Sequence, residues 1–302
     1  MTRIVDGLGG PPRVSVELWP PRTDQAAERL EASLDRLAEL RPSFASITYG
    51  AAGSTRERTH DLVVEMERRR DTTAMAHLTC AAHSRAELVG ILERYRDAGV
   101  ENVLALRGDP PLGGSTTLPE GELEHAIELV ELAASVGPFC VAVAAHPAGH
   151  PQAPDLVTDR RRLAEKLRVA DFAITQFFYG VEEYLLLLDD LAALGVDKPV
   201  IPGVMPVTST RTLERMAALS GRPVPDWLGA RIAAAGADAR SVRRAGVEVA
   251  TQLCGQLLER GAPGLHFYTM NQVEATFDVA SALGLAPLGS GLGERRPPEP
   301  SH

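Results

Sequence analysis

Lysine is almost missing from this chain: Lys+Arg total 31 in 302 residues, and only Lys166 and Lys198 are lysines. A Schiff-base lysine inside a barrel is thereby excluded, since Lys166 falls in a predicted helix and Lys198 at the entrance of a predicted strand. Cysteine is scarce too. Cys80, Cys140 and Cys254 are widely spaced in apolar runs, which reads as reduced core thiols without metal-ligand spacing. No apolar run reaches membrane-spanning length and no apolar signal region opens the chain, so a cytoplasmic protein is expected. A G-x-S-x-G nucleophile turn is absent, and no strand is followed by G-x-G-x-x-G; Gly7-Leu8-Gly9-Gly10 has the wrong spacing and precedes the first strand. The acidic balance, a net charge of -9, argues against nucleic acid or an anionic membrane as partner. It leaves room for a local basic pocket that takes a small anionic molecule.

What the chain does have is alternation. Short apolar or β-branched runs near 14–19, 44–48, 73–78, 102–106, 139–145, 172–177, 199–203 and 264–268 predict eight strands. Amphipathic stretches over 24–39, 56–69, 85–98, 121–135, 182–193 and 240–259 predict helices between them. The long segment 204–263 is expected to carry an extra helix around 224–235. Strand–helix alternation of this kind implies an α/β fold, a single-domain (β/α)8 TIM-type barrel over residues 13–287. An open doubly wound sheet is the alternative. The Gly- and Pro-rich ends, 1–12 and 288–302, are expected to be disordered tails.

The chemistry gathers at the C-terminal strand ends, the functional face of such a barrel. Val16-Glu17-Leu18-Trp19-Pro20-Pro21-Arg22 is the sharpest case: the prolines stop the strand and leave Glu17 among apolar neighbours. Desolvation there raises a carboxyl pKa and makes a proton donor near neutrality. Other strands end on Thr48-Tyr49, His77-Thr79, Arg107-Gly108-Asp109, His146, Gln176 and Tyr268-Thr269. Helix capping explains Thr48 or Asp109 singly, but caps do not favour Gln, His and Tyr. His77, His146, Asp109 and Glu17 lack tight ligand spacing, so no metal is expected. An acid, a second carboxylate and neutral hydrogen-bonding groups around a cavity suit redox chemistry on a heterocycle, with electrons from a cofactor.

These residues stand in segments that resemble the methylenetetrahydrofolate reductases over residues 14 to 286. The segments are Glu17-Leu18-Trp19-Pro20-Pro21-Arg22, Ser46-Ile47-Thr48-Tyr49-Gly50-Ala51 and His77-Leu78-Thr79-Cys80. Further on come Ala105-Leu106-Arg107-Gly108-Asp109, Ala173-Ile174-Thr175-Gln176-Phe177-Phe178, Ile201-Pro202-Gly203 and His266-Phe267-Tyr268-Thr269. The resemblance implies reduction of 5,10-methylenetetrahydrofolate to 5-methyltetrahydrofolate with NADH or NADPH. It implies that Glu17 protonates N10 so that the ring opens to a 5-iminium, that Asp109 faces the pterin, and that Gln176 reads the pterin edge. Tyr268, Thr48 and Phe177 fall on the substrate side. Thr48, His77, Arg107, Gly108, His146, His150 and Asp159 fall on the cofactor side.

The departures cluster on the flavin side, with two more on the folate side, where the family's phenylalanine after Pro-Val falls near Thr210 and its arginine after Tyr-Thr-x-Asn falls at Gln272. Segments that read Tyr-Ala-Ser, Ala-Ala-Tyr-Pro and Arg-Lys in most bacterial members read His125-Ala126-Ile127, Ala144-Ala145-His146-Pro147 and Glu165-Lys166 here. Arg168-Val169-Ala170-Asp171 also lacks the family's glycine. An acid beside a diphosphate is repulsive. The expectation is therefore a reductase without FAD, in which hydride passes directly from nicotinamide to folate. The alternatives are FAD held through Arg160, Arg161 or Arg162, or a folate- or nucleotide-binding protein without catalysis.

Overall fold

Period-two alternation decides how the sheet curls. In β1 (Arg13–Leu18) the side chains of Val14, Val16 and Leu18 join the outer core, while Ser15 and Glu17 face the opposite side. The outer core is completed by helix faces such as Leu30, Leu34, Leu37 and Leu40 of α1 (Asp24–Leu40), each stabilising by about 2 kcal/mol through burial. Thr23 caps α1 by accepting the Ala26 N–H at 3.2 Å. The computed structural model describes residues 3–49, 56–69, 72–108 and 122–286. Asp109 and the expected C-terminal tail over 288–302 lie outside the described residues.

The strands that follow are β2 (Phe44–Ile47), β3 (Thr73–Thr79), β4 (Asn102–Leu106), β5 (Cys140–Ala145) and β6 (Phe172–Thr175), then β7 (Val200–Ile201), β8 (Gly203–Val204) and β9 (Gly264–Tyr268). All pairings are parallel, in the order β7-β6-β5-β4-β3-β2-β1-β9-β8. Only Pro202 separates β7 from β8. Lacking an N–H, it interrupts the ladder and bends one strand into two pieces. One piece pairs with β6 and the other with β9, and the Pro202 carbonyl accepts the His266 N–H at 3.0 Å. Counted as one bent strand, this gives the eight-stranded TIM-type barrel that the alternation implied.

The helices are α1, α2 (Arg56–Arg69), α3 (Arg85–Ala98), α4 (Ala126–Val136), α5 (Leu156–Val169), α6 (Val181–Ala193), α7 (Thr210–Ser220), α8 (Asp226–Ala234), α9 (Ala239–Glu259) and α10 (Glu274–Ala282). The extra helix expected around 224–235 is α8. Two others, α7 and α10, went unread: α7 opens on Thr210-Arg211-Thr212, with weak helical propensity, and α10 is only 9 residues long. Helix α4 starts at Ala126 rather than 121, because His125 occupies its N-cap.

The N-terminus corrects the expectation of a disordered tail over 1–12. Ile4–Gly7 forms a 3-10 turn, and Ile4 is buried in the barrel floor with Phe44, Met75, Leu104, Cys140, Phe172, Ile174 and Ile201. The Ile4 N–H donates to Asn102 Oδ1 at 2.9 Å, and Arg3 pairs with Asp171 at 3.2 Å. Glycine-rich composition hid one apolar side chain that plugs the bottom of the barrel. The three cysteines are buried and unpaired, with Cys80 and Cys254 pushed up to about 12 by desolvation. Ile4→Ala should lower stability by about 2–4 kcal/mol through the cavity it opens. Urea denaturation checks this, and a loss within about 0.5 kcal/mol of zero would mean that the turn does not seal the floor.

Candidate functional site

Glu17 is the next-to-last residue of β1, and its register partners are Tyr268 on β9 and Ser46 on β2. Its side chain is 14% exposed. Desolvation raises its pKa from 4.5 to about 7, opposed by one hydrogen bond from Trp19 Nε1 to Oε1 at 3.1 Å. On the other side His77 Nε2 stands 3.9 Å from Oε2. Burial lowers His77 to about 3, so near neutrality a neutral imidazole faces a carboxyl that is in the middle of its titration, and the contact is not an ion pair. His77 Nε2 has no hydrogen-bond partner among the described residues. It is a buried polar atom that faces Glu17.

The rest of this zone is built from hydrogen-bonded strand ends. Tyr268 donates its hydroxyl to the Thr175 carbonyl at 2.6 Å, so its ring rather than its hydroxyl is offered to the mouth. Gly203 is required here by close approach: a Cβ would lie 2.2 Å from the Thr175 carbonyl oxygen and 2.6 Å from the Tyr268 ring. Phe177 meets Tyr268 edge to face at 6.3 Å, and Gln176 Oε1 accepts the Phe177 N–H at 3.2 Å, leaving the amide nitrogen. Thr48 follows β2, its N–H bonded to Leu18 O at 3.0 Å. Beneath Glu17, His266 bridges Ser15 Oγ at 2.9 Å and Ser46 Oγ at 3.3 Å. Burial and the nearby His77 lower His266 to about 3.

A second zone is a cavity of about 400 Å3 between the ends of β4 and β5 and helix α5. Arg107, His146, His150 and Asp159 line it, together with His125, Arg162, Glu165 and Lys166. Gly108 supplies the turn leading from Arg107; its φ is +95°, and a Cβ would lie 2.8 Å from Ala81 Cβ. His146 and His150 meet edge to face at 4.7 Å, and burial lowers His146 to about 3. Arg107 is hydrogen-bonded to Gln152.

Two cationic residues play parts that the sequence did not disclose. Arg160 is 3% exposed and committed to the fold. It bonds to the His146 carbonyl at 2.9 Å, the Pro147 carbonyl at 2.5 Å, Asp159 at 3.1 Å and Asp190 at 3.0 Å. Lys166, set aside because it lies on a helix, reaches the cavity wall and donates to the Ala144 carbonyl at 3.2 Å. Burial lowers its pKa. Arg162 lines the cavity without a hydrogen bond or ion pair among the described residues. Among the described residues no His, Cys, Asp and Glu cluster is arranged to hold a metal ion, and no helix is long and apolar enough to cross a membrane.

A (β/α)8 barrel with a buried acid at its C-terminal mouth and a polar cavity beside it has the form of an enzyme acting on small molecules. Comparison with known proteins narrows the class. The family model for methylenetetrahydrofolate reductase matches residues 3–284. The 5,10-methylenetetrahydrofolate reductase of Pectobacterium carotovorum is 36% identical over 282 residues, 93% of each chain. That of Escherichia coli K12 is 35% identical over 275 residues, 91% of each chain. The Arabidopsis thaliana protein named methylenetetrahydrofolate reductase (NADH) 1 is 33% identical over 94% of this chain and 50% of its own length. The chain therefore belongs to the methylenetetrahydrofolate reductase family and is an oxidoreductase of it. A Clostridium thermocellum protein solved with two copies of 5-methyl-5,6,7,8-tetrahydrofolic acid shares the fold, with a TM-score of 0.61 at 16% identity over 94% of this chain and 98% of that one.

The raised pKa of Glu17 has a stability signature. Its folded value, about 7, lies above the ordinary glutamate value of 4.5, so in the unfolded chain the proton leaves first. The contribution is full below about pH 4.5 and lost as pH rises through 7, where ionised Glu17 penalises the fold by about 3 kcal/mol. Glu17→Gln should match wild type at pH 4 and be the more stable by that order at pH 8. Chemical denaturation across this range checks the sign, and a difference that does not change with pH would place Glu17 in a solvated site.

Proposed function

We propose that the protein reduces 5,10-methylenetetrahydrofolate to 5-methyltetrahydrofolate, with hydride passing directly from NAD(P)H. The observation that carries this reading is Glu17: a carboxyl kept protonated near neutrality by burial, at the mouth of a barrel of this family. Its proton goes to N10 of the bridged folate, the N10–methylene bond breaks, and an iminium forms at N5. Hydride from C4 of the nicotinamide then adds to the methylene carbon, giving the 5-methyl product and NAD(P)+. The Glu17 carboxylate left behind faces the cation across a low-dielectric site, which favours the charge-separated step. Trp19 Nε1 remains bonded to that carboxylate and steadies it. Gln176 is suited to the pterin edge through its amide nitrogen, and Phe177 and Tyr268 supply apolar walls. His77 offers its unpaired Nε2 to whichever ring binds beside the acid. Asp109 keeps the role of facing the pterin that the resemblance implies.

The direct route is favoured by what the second zone lacks. FAD needs its diphosphate neutralised, yet Arg160 is bound to carbonyls and carboxylates of the fold and Lys166 to Ala144. Asp159 and Glu165 bring carboxylates to the same wall. The residues present do not make a matched diphosphate clamp. The cavity itself, with Asp159 and His150 at flavin-side positions, favours the other reading, in which FAD binds through Arg107 and Arg162 and the reaction is ping-pong.

Absorbance of the purified protein between about 300 and 550 nm distinguishes these. The expected result is a spectrum without flavin bands together with NADH oxidation that requires methylenetetrahydrofolate. Stoichiometric bound flavin would overturn direct transfer. Glu17→Gln should lower kcat by about 10²–10⁴, and unchanged turnover would remove Glu17 as the acid.

A further inference from the structure

The chain is strongly acidic overall, with a net charge of -9, yet the segment that follows the acid gathers guanidinium groups. Arg58 on α2 donates Nη1 to the carbonyls of Pro21 at 3.2 Å and Arg22 at 2.7 Å. Arg22 is exposed on that segment. Arg215 on α7 lies over the indole of Trp19, its Cζ 4.7 Å from the ring centroid. Arg215 is exposed and makes no hydrogen bond or ion pair among the described residues. A guanidinium stacked on an indole is held in place while its in-plane N–H donors stay free, the geometry suited to a carboxylate.

The same indole reaches the reacting centre, since Trp19 Nε1 is the group bonded to Glu17. The acid thus sits at the Nε1 edge of one ring system, and an unpaired cation lies over its face. On the proposed reaction, the substrate has a matching layout. N10, which takes the proton from Glu17, is attached to an aminobenzoyl ring whose far end carries a glutamate with free carboxylates. An arm that starts at Glu17 and runs along Trp19 arrives at Arg215.

We propose that Arg215 is a specificity-determining residue that receives the glutamate carboxylates of the folate, with Trp19 as the platform under the aminobenzoyl ring. The assignment rests on the folate reading of the site. Arg58 braces the platform by fixing the carbonyls of Pro21 and Arg22, and Arg22 adds to the local positive field. Because Arg215 is exposed and outside the core, its replacement leaves the fold intact.

The test uses the full chain and two ligands that share pterin and aminobenzoyl groups, 5-methyltetrahydrofolate and its glutamate-free counterpart 5-methyltetrahydropteroate. Binding is measured by titration calorimetry. Steady-state kinetics use the corresponding 5,10-methylene compounds. Arg215→Ala should weaken binding of the glutamate-bearing ligand and raise its KM about tenfold, with kcat within about twofold and the glutamate-free ligand unaffected. Arg215→Lys, which keeps the charge and loses the planar fork, should fall between, and the gap should narrow with added salt. Equal losses for both ligands, or none for either, overturn the assignment. Glutamate-dependent binding without any turnover refutes the reductase reading and leaves Arg215 in its role; turnover without the difference does the reverse.

Discussion

The end of β1 is held by a side chain from the opposite end of the chain, and the mouth of the barrel depends on that hold. Asn271 Oδ1 accepts the Trp19 N–H at 2.8 Å, and Asn271 Nδ2 donates to the Trp19 carbonyl at 2.9 Å. Thr269 adds a bond from its hydroxyl to the Glu17 carbonyl at 2.7 Å. Pro20 and Pro21 cannot donate to a neighbouring strand, so without Asn271 the Trp19 backbone would be left unpaired where the strand must stop. The turn that delivers Asn271 is strained. Met270 and Asn271 both adopt left-handed φ, 50° and 61°; asparagine tolerates this readily, and methionine at a cost of about 1–2 kcal/mol. Strain at a site of this kind persists only where surrounding bonds fix it.

With the strand end fixed, burial sets the chemistry. Two carboxylates flank the mouth at low exposure, and their neighbours differ. Asp159 has the Arg160 guanidinium at 3.1 Å. Glu17 has an indole N–H and an imidazole that burial keeps neutral. Without a cation in contact, the desolvation of Glu17 is offset only in part, by the Trp19 N–H, and its pKa stands at about 7. Ser15 and Ser46 do the corresponding work below, satisfying both ring nitrogens of His266 without charge. The interior under the acid is therefore polar but uncharged, which keeps the effective dielectric low where an iminium and a carboxylate would face each other.

Much of this was legible in the chain because it is local. Strand boundaries follow from apolar runs closed by Pro20 or Gly108, and Glu17 stands out because two prolines pin it to a strand end. What was not legible depends on contacts far apart in sequence. Trp19 and Asn271 are 252 residues apart, and no local pattern announces that an asparagine after β9 will complete β1. Ile4 sits in a segment whose glycines and prolines suggest a tail, yet one apolar side chain is enough to seat it in the floor. Arg160 looked available for a phosphate, since a cationic side chain early in a helix beside a cavity has that appearance. Its four partners come from the β5–α5 loop, its own neighbour and α6, a set that exists only once the barrel closes.

The closed barrel also orders the two zones relative to each other. Glu17 on β1 and Tyr268 on β9 mark one side of the mouth, and Arg107 on β4 and Ala144 on β5 mark the other, with β2 and β3 between them. Thr48 and His77 stand at the ends of those two intervening strands. A proton delivered from β1 and a hydride delivered from the β4–β5 side would therefore converge above Thr48 and His77. In the proposed reaction the two arrive at atoms one bond from each other's reach, N10 and the methylene carbon, so donor and acceptor must stack across that gap. Among the described residues His77 Nε2 is a buried ring nitrogen without a partner at these strand ends, and in the proposed reaction it would face the stacked rings. A neutral imidazole suits that place: it can hydrogen-bond either ring, and it adds no positive charge to compete with the iminium for the Glu17 carboxylate.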